Sequence, residues 1–198
     1  MSLSKVVDAI RLHKRFLISA HIDPEGDAVG SQLAIASLLR RLGKKVVMID
    51  EDPPPASCMF LPRINSITLY KDLKSKGAGK FDCAVIVDCP TLGRMGRVKE
   101  LITEDMTVIN IDHHVSNDMF GDVNWVDPKV AAVGEMIFEL SKKLKLALTG
   151  DEAETIYSAI LIDTGSFRYS NTTAKTHMIA AELIRKRLDM NAIYEHLF

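Results

Sequence analysis

Apolar and polar positions alternate in blocks along this chain, and the blocks read as short strands separated by helices. Val6, Val7 and Ile10 fall on one side of a helix predicted from Ser4 to about His13. Phe16-Leu17-Ile18-Ser19-Ala20 reads as a short buried strand. It runs into His21-Ile22-Asp23-Pro24-Glu25-Gly26-Asp27, where Pro and Gly prevent regular structure. Between Ala28 and Leu42 the apolar residues Leu33, Ala34, Leu38 and Leu42 recur at helical spacing, with Gly43 as a stop. Lys45 to Ile49 is the second strand. The opening is therefore a β-α-β unit with a polar loop at the carboxyl end of its first strand.

Four prolines, at 53, 54, 55 and 62, make the stretch from Glu51 to Pro62 a rigid extended loop, after which strand-like sequence resumes at Ile67. Lys71 to Lys80 is basic and contains glycine, and reads as a solvated loop. Cys83-Ala84-Val85-Ile86-Val87 is a continuous apolar run, as in a strand covered on both faces, and it ends at Asp88. Thr107-Val108-Ile109-Asn110-Ile111 is similar and ends at Asp112-His113-His114. Helices are predicted over Val130–Lys145, Asp151–Ile162 and Thr173–Arg187, with a last helical stretch from Ala192 to Leu197. No internal repeat or low-complexity segment interrupts this order. Strands alternating with helices predict an α/β fold, an open parallel sheet with helices on both faces. Ligands of such sheets sit beyond the carboxyl ends of the strands.

Composition narrows the function classes. The 198 residues carry 25 Lys+Arg against 26 Asp+Glu, a net charge of −1, with 47% apolar residues. That is the composition of an ordinary soluble globular protein with room for a proper core. No run approaches the ~18 apolar residues of a membrane span, and no signal peptide is recognisable. A charge near zero argues against a broad basic face gripping duplex DNA, but leaves room for a small phosphate site. Cys58, Cys83 and Cys89 are odd in number and form no C-x-x-C, so they read as free thiols in a reducing, cytoplasmic setting.

Three predicted strands end in His21-x-x-x-Glu25-x-Asp27, in Asp88 and in Asp112-His113-His114. Unpaired carboxylates meeting in one cleft repel each other, and burial raises that cost. A divalent cation removes both problems, and mixed oxygen and imidazole donors suit Mn²⁺, Mg²⁺, Fe²⁺, Co²⁺ or Zn²⁺. Without a ligating Cys, a structural zinc site is disfavoured. His21, Glu25, Asp27, Asp88, His113 and one further acid exceed what one catalytic ion takes from protein; two ions sharing a carboxylate would use them all. Singly, each has a plainer reading: a strand-end histidine, a helix N-cap at Asp27, a turn former at Asp88 before Pro90. It is their common placement that argues for metal. His13, His177 and His196 lack such context and read as surface or core residues.

The ordered motifs resemble the catalytic domain of the DHH phosphoesterases. They are His21-Ile-Asp-Pro-Glu-Gly-Asp27-Ala-Val-Gly30-Ser31, Val87-Asp88, Asn110-Ile-Asp112-His-His114 and Leu161-Ile-Asp163-Thr-Gly-Ser-Phe-Arg-Tyr169. The stretches Glu51-Asp-Pro-Pro-Pro, Val123-Asn-Trp-Val-Asp127-Pro and Ser170-Asn-Thr-Thr173 further resemble the branch similar to nano-RNases and 3′-phosphoadenosine 5′-phosphate phosphatases. The resemblance implies a metal-dependent phosphoesterase acting on short oligonucleotides or small nucleotides through a hydroxide activated by two cations, Mn²⁺ first, with Mg²⁺ or Co²⁺ as alternatives. By the same resemblance His21 and Glu25 hold the first ion, Asp88 bridges, and Asp27, His113 and Asp163 complete the second. His114 faces the substrate phosphate, and Asp112 supports the histidine pair from behind. Arg168 is expected either at phosphate or packed under its loop, and Arg94 and Arg97 as helix-surface charges. The expected substrate is single-stranded or mononucleotide, with neither duplex DNA nor membrane as a partner; a homodimer is raised by the resemblance alone.

Two departures from the family pattern stand out. Glu25 occupies a position where the family usually has Asp, which shifts a carboxylate by about a bond length and bears on metal preference. The family's C-terminal substrate-gripping domain, with its glycine-rich His motif, has no counterpart before Phe198. Residues 1–198 are therefore expected to comprise the catalytic domain alone, as a piece of a longer protein or as a shortened relative. Two alternative functions follow: an inorganic pyrophosphatase or exopolyphosphatase on the same centre, or a metal- and nucleotide-binding module without turnover as the isolated chain.

Overall fold

The computed structural model describes residues 3–73 and 79–198. Six strands, β1 (Arg15–Ser19), β2 (Lys45–Asp50), β3 (Ile67–Leu69), β4 (Cys83–Val87), β5 (Thr107–Asp112) and β6 (Val123–Val126), form one sheet. Its order is β3-β2-β1-β4-β5-β6, and every neighbouring pair is parallel. The strand order reverses between β1 and β4, so a crevice opens beyond their carboxyl ends. His21 follows β1 and Asp88 follows β4, so both stand at this crevice.

Alternation along each strand sorts the core. Phe16, Ile18, Val85, Val87, Ile109 and Ile111 face the larger cluster, and Leu17, Ile49, Ala84 and Ile86 face a smaller one. The larger cluster is built with α1 (Leu3–Leu12), α2 (Gly26–Arg41), α3 (Val133–Lys143), α4 (Gly150–Asp163), α5 (Ala174–Ile184) and α6 (Met190–Leu197). The opposite face is covered in part by a 3₁₀ segment, Leu92–Leu101, which buries Met95 and Val98. Helical cover on both faces is thus present, but the described α-helices gather on one of them.

The predicted elements recur with ends shifted by a few residues. β6 was not foreseen as a strand. The stretch Lys71–Lys80 begins in a short 3₁₀ turn (Tyr70–Asp72), and its residues 74–78 lie outside the described residues. All three cysteines are buried and free.

Helix α4 lies very close to α2 and α3, and glycine permits this. A Cβ on Gly30 of α2 would stand 2.5 Å from the Thr155 carbonyl oxygen of α4, and one on Gly134 of α3 would stand 2.9 Å from Ala159 Cβ. The backbones approach where no side chain fits, which draws the start of α2, the start of α3 and the end of α4 together.

Candidate metal centre

Each acid and histidine reaches the crevice by a different local device. Helix α2 begins at Gly26, with Glu25 as its N-cap residue but no side-chain capping bond. Asp27 sits in the first turn and is fully buried. Its carboxylate caps a different helix: it accepts from Val133 N at 2.6 Å and Gly134 N at 2.9 Å, at the start of α3, and from the Ser31 hydroxyl at 2.9 Å. The positive end of α3 therefore holds this anion in place. Asp88 leaves β4 with a left-handed φ of 51°, an uncommon conformation for a residue with a Cβ. Asp112 ends β5, and Asp163 ends α4. Beyond Asp163 the chain turns through three consecutive left-handed residues, Gly165, Ser166 and Phe167. The Thr164 hydroxyl braces this turn by donating to Ile160 O and accepting from Phe167 N.

The histidine rings reveal what the cluster is built for. His113 Nε2 lies 3.1 Å from Asp163 Oδ2, 3.6 Å from Asp88 Oδ1 and 3.9 Å from Asp27 Oδ2. His21 Nε2 lies 3.7 Å from Asp88 Oδ2. In both rings Nδ1 meets a backbone carbonyl, Ile22 O at 2.6 Å and Val130 O at 3.3 Å, and a carbonyl can only accept. Nδ1 is thus the protonated nitrogen, and in the neutral ring the Nε2 lone pair points among carboxylates. That is the arrangement of metal-ligating imidazoles, whose other N–H is tied to a carbonyl or carboxylate. Asp88 Oδ1 is buried and has no hydrogen-bond partner. A lone pair facing carboxylate oxygens, one of them unpartnered, is the signature of a cation site. Asp27, His113 and Asp163 form one compact donor group, and Asp88, His113 and His114 form another.

Without a cation the cluster balances its charge with protons. Burial, reinforced by the charges of Asp163 and Asp88, pushes the Asp27 carboxyl well above its usual range. Burial would lower the His113 pKa, but the hydrogen bond to Asp163 and the charges of Asp27 and Asp88 outweigh it and raise it. For His21, too, burial is outweighed by Asp88 and the Ile22 carbonyl, and its pKa is raised.

His114, although in the donor group with Asp88 and His113, is held by a different partner. Its Nδ1 donates to Asp112 Oδ1 at 2.7 Å, and Asp112 Oδ2 accepts from Asn117 Nδ2 at 2.6 Å. Asn117 also donates to Asn110 Oδ1 at 2.8 Å. Burial would raise the Asp112 pKa, but the bonds from His114 and Asn117 hold it below its usual range, and the bond to Asp112 raises that of His114. A buried carboxylate thus fixes a half-exposed, readily protonated imidazole whose Nε2 is left open.

A polar cavity of ≈ 330 Å³ opens over the cluster. Of the eight residues singled out in the sequence, His21, Glu25, Asp88, His113, His114 and Asp163 line it, while Asp27 and Asp112 stand buried behind. Glu25 belongs to neither compact donor group. Arg168 does not reach the cavity: its Nε donates to Gly165 O at 2.7 Å, the packing alternative. Arg97 is bound to Glu51, as a surface charge. Arg94 is exposed, as expected, and also lines the cavity, with its Nη2 3.3 Å from His21 Nδ1. Asn117 was missed, since a loop asparagine five residues past Asp112 carries no pattern. His13, His177 and His196 pack elsewhere, His13 against Ala9 O and the other two against Phe167 and Phe60.

A parallel sheet with histidines and aspartates converging at its switch point defines an α/β domain with a candidate metal centre in a polar cleft. More narrowly, the chain belongs to the DHH family, whose N-terminal domain matches residues 15–160. It is 36% identical over 167 residues to the bifunctional oligoribonuclease and PAP phosphatase NrnA of Thermus thermophilus, covering 84% of this chain and 48% of that protein. It is 28% identical to the Bacillus subtilis protein of the same name, covering 98% of this chain and 60% of the relative. The chain therefore spans about half to three fifths of the length of these relatives. The crystal structure of an exopolyphosphatase-related protein from Bacteroides fragilis shares the fold with a TM-score of 0.91 at 24% identity, over 99% of this chain and 59% of that one. No helix among the described residues is long and apolar enough to cross a membrane.

Proposed function

We propose that this domain is a metal-dependent phosphoesterase that hydrolyses short oligonucleotides or small nucleotides of the 3′-phosphoadenosine 5′-phosphate type, and that it holds two divalent cations, Mn²⁺ in the first instance. The observation that carries the reading is the pair of imidazoles with carbonyl-bound Nδ1 and with Nε2 facing Asp88, Asp27 and Asp163. His21 and Glu25 would hold one cation and Asp27, His113 and Asp163 the other, with Asp88 shared between them. Cations bound there supply a hydroxide at neutral pH and neutralise charge on the phosphoryl group. The chain's own part is positioning and proton control. Asp112 keeps His114 oriented and charged, so its free Nε2–H donates to a phosphate oxygen or to the departing alkoxide. Names borne by the relatives, oligoribonuclease and PAP phosphatase, support this substrate class.

The same reading places the domain in the cytoplasm, where three buried thiols stay reduced, and limits its nucleic-acid partners to short single strands. A homodimer remains an expectation from the family resemblance.

The test is Mn²⁺-stimulated release of mononucleotide from a dinucleotide, run beside pyrophosphate. Faster turnover of the dinucleotide is expected. Faster turnover of pyrophosphate points to the pyrophosphatase alternative. A protein that binds Mn²⁺ and hydrolyses no phosphoester in a broad panel would leave only a binding module.

A further inference from the structure

The cavity carries one guanidinium, that of the exposed Arg94. Arg94 and Arg97 lie on the same 3₁₀ segment, three residues apart. Arg97 is fully engaged: Nε donates to Glu51 Oε1 at 2.8 Å, its backbone N donates to Glu51 Oε2 at 2.8 Å, and the guanidinium stands 5.0 Å over the Tyr70 ring. These contacts tie the segment to the end of β2. Arg94 has no carboxylate partner among the described residues. Its Nη2 lies 3.3 Å from His21 Nδ1. That nitrogen already carries a proton, donated to Ile22 O, so it cannot accept from Arg94. Two donors thus face each other, and the guanidinium N–H groups are left for something else. The backbone beneath is fixed, with Arg94 O accepting from Ile22 N at 2.7 Å and Arg94 N donating to Thr91 O at 3.1 Å. Next in sequence, Met95 is fully buried.

We infer that Arg94 is a substrate-binding residue, which grips non-bridging phosphate oxygens from the His21 side of the cavity. The inference rests on the phosphoesterase reading of the same site. A guanidinium fork matches phosphate oxygens and stays charged at every working pH. Set against the acids, it also gives the cleft a sign preference: neutral or cationic ligands gain nothing from it, whereas a phosphate is held from the protein side as well as by cations. Arg94 is exposed, so water solvates its guanidinium in the free protein; a bound anion replaces that water with a charge-assisted contact and offsets the donor–donor approach to His21.

The experiment titrates inorganic phosphate into the Mn²⁺-loaded chain by calorimetry, for wild type, Arg94→Ala and Arg94→Lys, with Mn²⁺ binding in phosphate-free buffer measured first. Arg94→Ala is expected to bind Mn²⁺ as wild type does, which reports an intact fold and metal cluster, and to bind phosphate about tenfold or more weakly. Arg94→Lys should recover part of the loss, because it restores the charge but not the fork. On dinucleotide the alanine variant should raise KM more than it lowers kcat. Equal phosphate affinity in wild type and Arg94→Ala overturns the assignment, and so does a wild-type chain that binds no phosphate. A chain that binds phosphate through Arg94 yet hydrolyses nothing overturns the catalytic reading instead.

Discussion

Replacing Gly30 by alanine sets two opposing effects against each other, and the structure decides the sign. In a helix interior the change alone is favourable by up to about 1 kcal/mol, because alanine is the better helix former. At this position, however, the new Cβ would stand 2.5 Å from the Thr155 carbonyl oxygen and 3.1 Å from Ala159 Cβ. Even a close C–H···O contact needs about 3.3 Å, so α2 and α4 must part by roughly 0.8 Å. The obstructing atom is helix backbone and cannot rotate away. If α4 retreats it also leaves α3, because Gly134 meets the same Ala159 side chain, so the shift would open a second close-packed contact. Overpacking of a rigid contact costs about 1–3 kcal/mol, at the upper end here, which leaves a net loss of about 2 kcal/mol. For a domain of this size that is a Tm lower by about 4–8 °C. The damage also reaches the site, because α2 carries Asp27 and α4 carries Asp163, which flank His113. Metal sites tolerate about 0.2 Å of error in ligand distance, so Mn²⁺ affinity should fall about tenfold or more. Thermal melts in chelator and Mn²⁺ calorimetry measure the two effects separately. A Gly30→Ala protein that melts above wild type and binds Mn²⁺ equally well would refute the argument, since helix propensity alone would then suffice.

Metal binding should release protons. In the cation-free cluster Asp27 and His113 both have raised pKa values, so cations compete with protons there, and apparent Mn²⁺ affinity should rise with pH across the neutral range. Calorimetry in two buffers of different ionisation heat reads the number released; zero would count against the cluster. Asp112→Ala removes the acceptor that orients His114 while sparing the proposed ligands, so turnover should fall about 10–100-fold with Mn²⁺ binding little changed. Asp50 is buried beside β1 with its pKa raised to about 6 by burial, against the hydrogen bond from Gln32. Its stabilising contribution is therefore present below about pH 4 and is lost as pH rises through about 6. Denaturation in chelator should show Asp50→Asn gaining roughly 2–3 kcal/mol over wild type between those limits, and equal pH profiles for the two proteins would contradict this.

What could be read from the sequence follows from how periodic each feature is. β1, β4 and β5 are mostly apolar runs buried on both sides, β2 is an apolar run buried only in its second half, and α2 repeats its apolar positions at helical spacing, so the open sheet and the residues at its strand ends were legible. β6 escaped because Asn124 interrupts its short run; in the fold that side chain donates to Met119 O and Gly121 O and holds the preceding loop. The 3₁₀ segment escaped because it contains two glycines, one of them Gly96 at φ 62°, and buries only Met95 and Val98. Arg94 is the exposed charge that the sequence suggests, but nothing in an irregular segment tells that it borders the cleft. Asp27 shows a different limit. Its type and position pointed to a ligand or an N-cap of its own helix, yet the helix it caps is α3, more than a hundred residues further on. Such a contact depends on the three-helix packing around Gly30 and Gly134, which no local pattern encodes.

Asp88 is the residue on which the two proposed cation positions depend together, for His21 Nε2 faces one of its oxygens and His113 Nε2 the other. Asp88→Asn keeps the side-chain shape and removes the charge. Mn²⁺ titrated calorimetrically into wild type and Asp88→Asn is the most direct measurement. The account predicts two Mn²⁺ per wild-type chain and, in the variant, loss of one site with the other weakened at least tenfold. An Asp88→Asn protein that binds two Mn²⁺ with unaltered affinity would contradict it.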